Sequence, residues 1–218
     1  MTYSYEINLL SKLMGGLKDL SVLEIGSGIG GHASEISKHK PESLTLVDKD
    51  PIAFHTLSRR FRSNNKIEIF KSDGFTKKPS WDAKDRVICM YSLVQQATSY
   101  SEMLNRINRL SNTATRSGVV AFEMIDFKVS KKIYPSNKGT KIYEDEKGYM
   151  EISSIYKNDY FKITFDGKLQ DIRCNYEVKL VAKNLKKLLL DLNNHIFTEC
   201  FVHPLEKNSR RVIVIGHK

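Results

Sequence analysis

Residues 22–31 read VLEIGSGIGG, an apolar run that ends in four glycines within six positions. An acidic residue, Glu24, lies inside the run. The run has the character of a buried strand. Dense glycine after a strand predicts a tight turn into a helix, because glycine accepts φ angles that other residues avoid. Free N–H groups at that helix start, with no Cβ atoms in the way, let a ligand lie against the backbone. Gly26, Gly28 and Gly31 satisfy GxGxxG, a pattern common to several cofactor-binding folds. Glu24 narrows the choice. Two positions before the first glycine a side chain points into the sheet, where a carboxylate needs hydrogen bonds or a cation. A ligand carrying an ammonium group would supply one.

The segments around this stretch alternate. Residues 5–17 form an amphipathic pattern with Ile7, Leu9, Leu10, Leu13, Met14 and Leu17 on one side, weakened at its end by Gly15 and Gly16. Strands are predicted over 20–25, 43–48 (SLTLVD), 67–73 (IEIFKSD), 86–92 (RVICMYS) and 118–125 (GVVAFEMI). Helices are predicted over 31–39, 51–61 with Pro51 in the first turn, and about 99–111. Such alternation means a parallel sheet with crossover helices. From about residue 128 to 180 the pattern turns β-rich, with turn signals at Lys157–Asp159 and Asp166–Gly167, and reads as an antiparallel insertion. A helix follows over 182–195, with Asn193 or Asn194 near its C-cap, and IFTECFV and RRVIVIGH close the sheet. The expectation is a single α/β domain over 1–218, its sheet mostly parallel with an antiparallel closing strand.

Composition narrows the classes. A chain of 218 residues buries a full core. No apolar stretch reaches membrane-spanning length, and the N-terminus lacks a secretory signal. The three cysteines, Cys89, Cys174 and Cys200, are widely spaced, and the six histidines show no metal-ligand spacing. Free thiols in a cytoplasmic protein without a metal site are expected. The net charge of +10 comes in small groups: Arg59, Arg60, Arg62; Lys77, Lys78; Lys131, Lys132; Lys183, Lys186, Lys187; Arg210, Arg211. Nucleic acid or a phosphate-bearing small molecule can exploit such groups, and a solvated lysine-rich surface also accounts for them.

Glu24-x-Gly26-x-Gly28-x-Gly30 resembles the first motif of class I methyltransferases that use S-adenosylmethionine. The later strand ends agree with it in order and spacing. The resemblance implies a Rossmann-like sheet with S-adenosylmethionine as cofactor. It places Glu24, Gly26, Ser27, Gly28 and Gly30 beside the methionine end, Asp48 and Lys49 at the ribose, and Asp73, Gly74 and Phe75 at the adenine. Met90 then ends the fourth strand under the cofactor. The second half is similar to small-molecule N-methyltransferases of the amino-sugar type, which implies a small-molecule acceptor in place of nucleic acid, no membrane partner, and a homodimer with the β insertion as its surface. The chain departs from those enzymes after strand four. They carry Phe-Ser-Ser-x-Gly followed by His or Tyr, whereas this chain has Tyr91-Ser92-Leu93-Val94-Gln95-Gln96.

The expected reaction is methyl transfer to an amine, or to a hydroxyl, of a small molecule such as a sugar nucleotide. Tyr91 and Glu123 are the candidate catalytic residues, with His203 a weaker third. Tyr3, Tyr5, Tyr91, Gln95 and Gln96 are the candidate acceptor contacts. Two alternatives stay open: an RNA methyltransferase that uses the basic surface, and a cofactor-binding module without catalysis. The Asn/Asp-Pro-Pro-aromatic motif of base-amino methyltransferases is missing from MYSLVQQ, and so is the Pro-Cys nucleophile of cytosine C5 enzymes.

Overall fold

Each apolar run of the first half becomes a parallel strand, because each is flanked by a helix that covers one face of it. The computed structural model describes residues 2–75, 81–133, 140–145, 148–156, 160–169, 172–206 and 209–218. The main sheet contains β1 (Ser21–Ile25), β2 (Ser43–Asp48), β3 (Ile67–Lys71), β4 (Lys84–Cys89), β5 (Ala114–Ile125), β10 (Glu199–Pro204) and β11 (Arg211–His217). Their spatial order is β10-β11-β5-β4-β1-β2-β3. Pairing is parallel throughout except at β11, which runs antiparallel to both β5 and β10. The mostly parallel sheet with one reversed closing strand is the expected one.

Alternation along β1 sets the two faces. Leu23 and Ile25 join one apolar cluster with Met103 and Ile107 of α4 (Tyr100–Asn112) and Leu188 and Leu192 of α6 (Leu185–His195). Val22 joins the other, with Ile7 and Leu10 of α1 (Tyr3–Leu13), Ala33 and Ile36 of α2 (Gly31–Lys38) and Leu57 of α3 (Pro51–Phe61). Glu24 has the parity of Val22, so it faces α1 and α2. Asp50 caps α3 through its Oδ1, with Pro51 at the first position.

The insertion is a four-stranded antiparallel meander: β6 (Thr140–Asp145), β7 (Gly148–Tyr156), β8 (Tyr160–Leu169) and β9 (Ile172–Val181). A short helix, α5 (Phe127–Ile133), precedes it and was not expected from the sequence. Asp166–Gly167 is not a turn. Gly167 pairs with Met150 on one side and Cys174 on the other, and two-sided pairing holds the strand extended. β8 stays paired with β9 as far as Leu169, which lies opposite Ile172. The signal at Lys157–Asp159 lies outside the described residues. The helix α6 runs past Asn193 and Asn194 to His195. Buried Leu192 accepts from the N–H groups of both Ile196 and Phe197, so the last turn closes there.

Gln95 fastens the insertion to the sheet. It sits in the 3-10 turn Leu93–Gln96 and is 1 % exposed. Its Nε2 donates to the carbonyls of Ile125 and Val181, and its Oε1 accepts from the Ile125 N–H at 2.6 Å. Every hydrogen-bonding atom used here belongs to the ends of β5 and β9. Gln95 is therefore a bracket and not an acceptor contact, which corrects that expectation. Gln95→Leu should strand the Ile125 N–H and lower the unfolding free energy by about 1–3 kcal/mol. Urea denaturation reads this directly; an unchanged midpoint would mean that the bracket adds no stability.

Candidate functional site

The strand β1 ends at a loop held open by its neighbours. Gly26 donates to the Val47 carbonyl at 2.8 Å with φ +76, and a Cβ there would lie 2.0 Å from Leu93 Cδ1. Gly28 has φ +52 and donates to Asp48 Oδ2 at 2.8 Å, while the place of its missing Cβ is open. Gly30 is the N-cap residue of α2, and Ser27 Oγ donates to the Glu24 carbonyl.

Beside this loop the strand tips line a narrow cleft of about 100 Å³. It brings together Gly26, Asp48, Lys49, Asp73, Gly74 and Phe75, with Gln96 at its rim. Asp48 is fixed by two backbone donors, Gly28 N–H on Oδ2 and Asp50 N–H on Oδ1. Asp73 Oδ1 accepts from the Phe75 N–H at 2.9 Å, which turns the chain so that Phe75 follows the strand end. Leu93 and Arg106 were missed by the sequence reading. The Arg106 guanidinium lies 5.0 Å from the centre of the Phe75 ring and also pairs with Glu102 one turn away. That i, i+4 pair reads in sequence as an ordinary surface feature of a helix. The cleft is smaller than a typical ligand pocket of about 300–1,000 Å³, because Leu93 lies over Gly26.

Behind the loop runs a buried chain of charges. Glu24 is 2 % exposed. Its Oε1 lies 3.5 Å from His32 Nδ1, and its Oε2 has no hydrogen-bond partner among the described residues. His32 Nε2 meets Glu6 Oε2 at 2.6 Å. Glu6 Oε1 accepts from Arg211 at 2.8 Å, and Arg211 forks onto both oxygens of Glu123 at 2.9 and 2.6 Å. Glu123 Oε2 also accepts from the Tyr91 N–H at 3.2 Å. Burial pushes the His32 pKa down, but Glu24 and Glu6 on its two sides outweigh this and raise it to about 9. Burial raises the Glu24 pKa. Glu6 loses ground to burial and more than regains it from His32 and Arg211, so its pKa falls. Three carboxyl groups thus alternate with two basic groups, and the run ends at the unpartnered Glu24 oxygen.

The remaining candidates divide. Tyr91 has φ +57, and its ring stacks on His32 at 5.3 Å with the Arg211 guanidinium 5.7 Å from its centre. Burial, with the Tyr3 hydroxyl beside it, pushes the Tyr91 pKa up. The Tyr3 ring meets His32 edge-on at 5.0 Å. Tyr5 instead donates to the Leu205 carbonyl at 3.2 Å and does not join this cluster. Met90 is buried in the apolar core on the α1 and α2 side. His203 is half-buried on β10, its ring against the Pro204 carbonyl. Glu6, His32 and Arg211 carried no sequence signal, since their partners are as many as 205 residues away.

No family model matches the sequence, and no curated protein matches it. Solved structures do match in fold. An S-adenosylmethionine-dependent methyltransferase from Clostridium acetobutylicum superposes with a TM-score of 0.79 at 14 % identity, over 99 % of this chain and 90 % of that one. The chain has the class I methyltransferase fold. The methyltransferase CcbJ from Streptomyces caelestis gives a TM-score of 0.80 at 10 % identity, over 99 % and 89 % of the two chains. CalS10, an amino pentose methyltransferase from Micromonospora echinaspora, gives 0.75 at 14 % identity, over 100 % and 92 %. At these identities the likeness is one of fold.

The charge chain has a pH signature. His32 is raised from its ordinary 6.5 to about 9 in the fold. A raised basic group adds stability that is fully present below the unfolded pKa and is lost as pH rises through the folded one. Stability should therefore fall between about pH 6.5 and 9, and His32→Gln should flatten that slope. Urea midpoints across the window check this; equal slopes in the two proteins would contradict it.

Proposed function

We propose that this chain is an S-adenosylmethionine-dependent methyltransferase that methylates an amine of a small molecule. The observation that carries the reading is the unpartnered, buried Oε2 of Glu24 at the end of β1. A lone buried acceptor of this kind is costly unless a ligand satisfies it. A cationic ligand group beside it would offset the burial that raises its pKa and favour the ionised carboxylate. The residues present fit the cofactor. Glu24 would hold its ammonium, Asp48 its ribose hydroxyls, and Asp73 with Phe75 its adenine, while Gly26 and Gly28 give the close backbone approach. When bound, S-adenosylmethionine supplies a methyl group already activated on a sulfonium.

The protein's own work is then positioning and exclusion of water. Tyr91 is presented at the end of β4 by its left-handed backbone and is braced by His32, Arg211 and the Glu123 carboxylate on its N–H. Its raised pKa keeps the hydroxyl protonated, so it serves to orient an acceptor lone pair and not as a phenolate base. Glu123 is held on both oxygens by Arg211, which suits a positioning residue better than a free base. An amine that sheds its proton on desolvation needs no strong base, and this favours N- over O-methylation. Tyr3 over His32 would help to close the site, and Gln96 at the rim would meet the acceptor.

Isothermal titration tests the cofactor step. S-adenosylhomocysteine should bind and NAD should not. Glu24→Gln keeps the size but removes the charge, and should weaken S-adenosylhomocysteine by about 1.5–3 kcal/mol, roughly 10- to 150-fold. Binding of NAD without S-adenosylhomocysteine would overturn the reading.

A further inference from the structure

Two aromatic rings beside the end of β4 are anchored on one side and open on the other. Tyr91 is 46 % exposed and Tyr3 47 %, so each keeps ring surface for a ligand. Tyr3 settles onto the start of α2, where a Cβ on Gly31 would lie 2.5 Å from its ring. Both rings contact His32, Tyr3 edge-on and Tyr91 stacked, and their hydroxyls lie beside each other.

The charged groups behind these rings are committed. Glu6 has one oxygen on His32 and the other on Arg211, and both oxygens of Glu123 are on Arg211. Neither carboxylate has an oxygen left over for an ammonium or its proton. The His32 ring and the Arg211 guanidinium lie 5.3 and 5.7 Å from the centre of the Tyr91 ring. With its pKa raised to about 9, His32 is a cation at neutral pH. An aromatic face attracts a cation through its negative charge, and two cations already draw on this ring. Gln96, at the cleft rim, has no side-chain group that accepts a proton at neutral pH. An alkylamine is protonated at neutral pH, as lysine is. Among the described residues that touch the two rings, none is placed to take that proton or to pair with that charge.

We propose that the acceptor is an arylamine, seated with its ring on the open surface of Tyr91 and Tyr3. The nitrogen of such an amine shares its lone pair with its own ring. It therefore stays unprotonated at neutral pH and needs no base to free it. Its ring also gains from stacked or edge-on contact with tyrosine, which an alkyl group does not. In the transfer the nitrogen lone pair forms the N–CH3 bond as the S–CH3 bond breaks. The electrons of the broken bond stay on sulfur, and the arylammonium formed gives one proton to water. The acceptor class rests on the methyltransferase reading, whereas the aromatic seat does not.

The test has two readouts on the full-length chain at neutral pH. One is ligand-observed NMR titration without cofactor, and the other is transfer of label from methyl-radiolabelled S-adenosylmethionine. The probes are aniline, benzylamine, cyclohexylamine and phenol. The proteins are the wild type, Tyr91→Leu, Tyr91→Phe and Tyr3→Leu. Aniline should bind the wild type more tightly than either alkylamine, although benzylamine also carries a ring. Label should pass to aniline and not to phenol, which needs a base. Tyr91→Leu and Tyr3→Leu should each weaken aniline about three- to tenfold, the worth of one aromatic pair, and Tyr91→Phe should keep its affinity. Calorimetry should show S-adenosylhomocysteine bound alike by all four proteins, which also reports that the variants are folded. If it binds none of them while aniline affinity still depends on the two rings, the methyltransferase reading is overturned and the aromatic seat is supported. Alkylamine affinity equal to that of aniline, or aniline affinity unchanged in both leucine variants, would overturn the proposal. Label in phenol but not aniline, or no label in aniline when S-adenosylhomocysteine binds, would overturn it as well.

Discussion

The buried run Glu24–His32–Glu6–Arg211–Glu123 is the constraint around which the rest of the molecule is arranged. It draws on β1, α2, α1, β11 and β5. Burying a charge is costly unless it is paired and hydrogen-bonded, and removing one partner from a buried pair costs about 3–5 kcal/mol. Each internal member here has a partner on two sides. The run therefore fixes the first helix against the sheet, sets the closing strand beside β5, and holds the Tyr91 backbone at the end of β4. It ends at an oxygen with no partner, and that end is where the glycine loop opens.

Seen from this end, the two sides of the loop do different work. The strand tips with Asp48 and Asp73 present acceptors held by backbone N–H groups, so their orientation does not depend on flexible side chains. The aromatic side, Tyr3 and Tyr91 around His32, is held by packing and by the charge run. On the proposed reading, a site built in this way would separate recognition of the cofactor from placement of the acceptor.

Much of the sheet was legible because its signals are local. SLTLVD and PIAFHTLSRRF carry their own periodicity, caps and ends, and β2 and α3 fall on those residues. The strand-tip acids were legible for the same reason, since parallel register carries each tip to the same edge of the sheet. Glu24 was read correctly as a buried carboxylate in need of compensation, yet His32 supplies part of it. Glu6 on an amphipathic helix looks like a solvent-facing charge until Arg211 arrives from the far end of the chain. Gln95 looked available to a ligand, but the left-handed turn at Tyr91 and Ser92 points it inward to two strand ends.

A crystal structure with S-adenosylhomocysteine tests the central claim most directly. The account predicts its amino nitrogen within about 3.2 Å of Glu24 Oε2, at ordinary hydrogen-bond distance, with Leu93 moved off Gly26 and His32 still between Glu24 and Glu6. A complex in which the amino group lies elsewhere, with Glu24 Oε2 still without a partner, would contradict it.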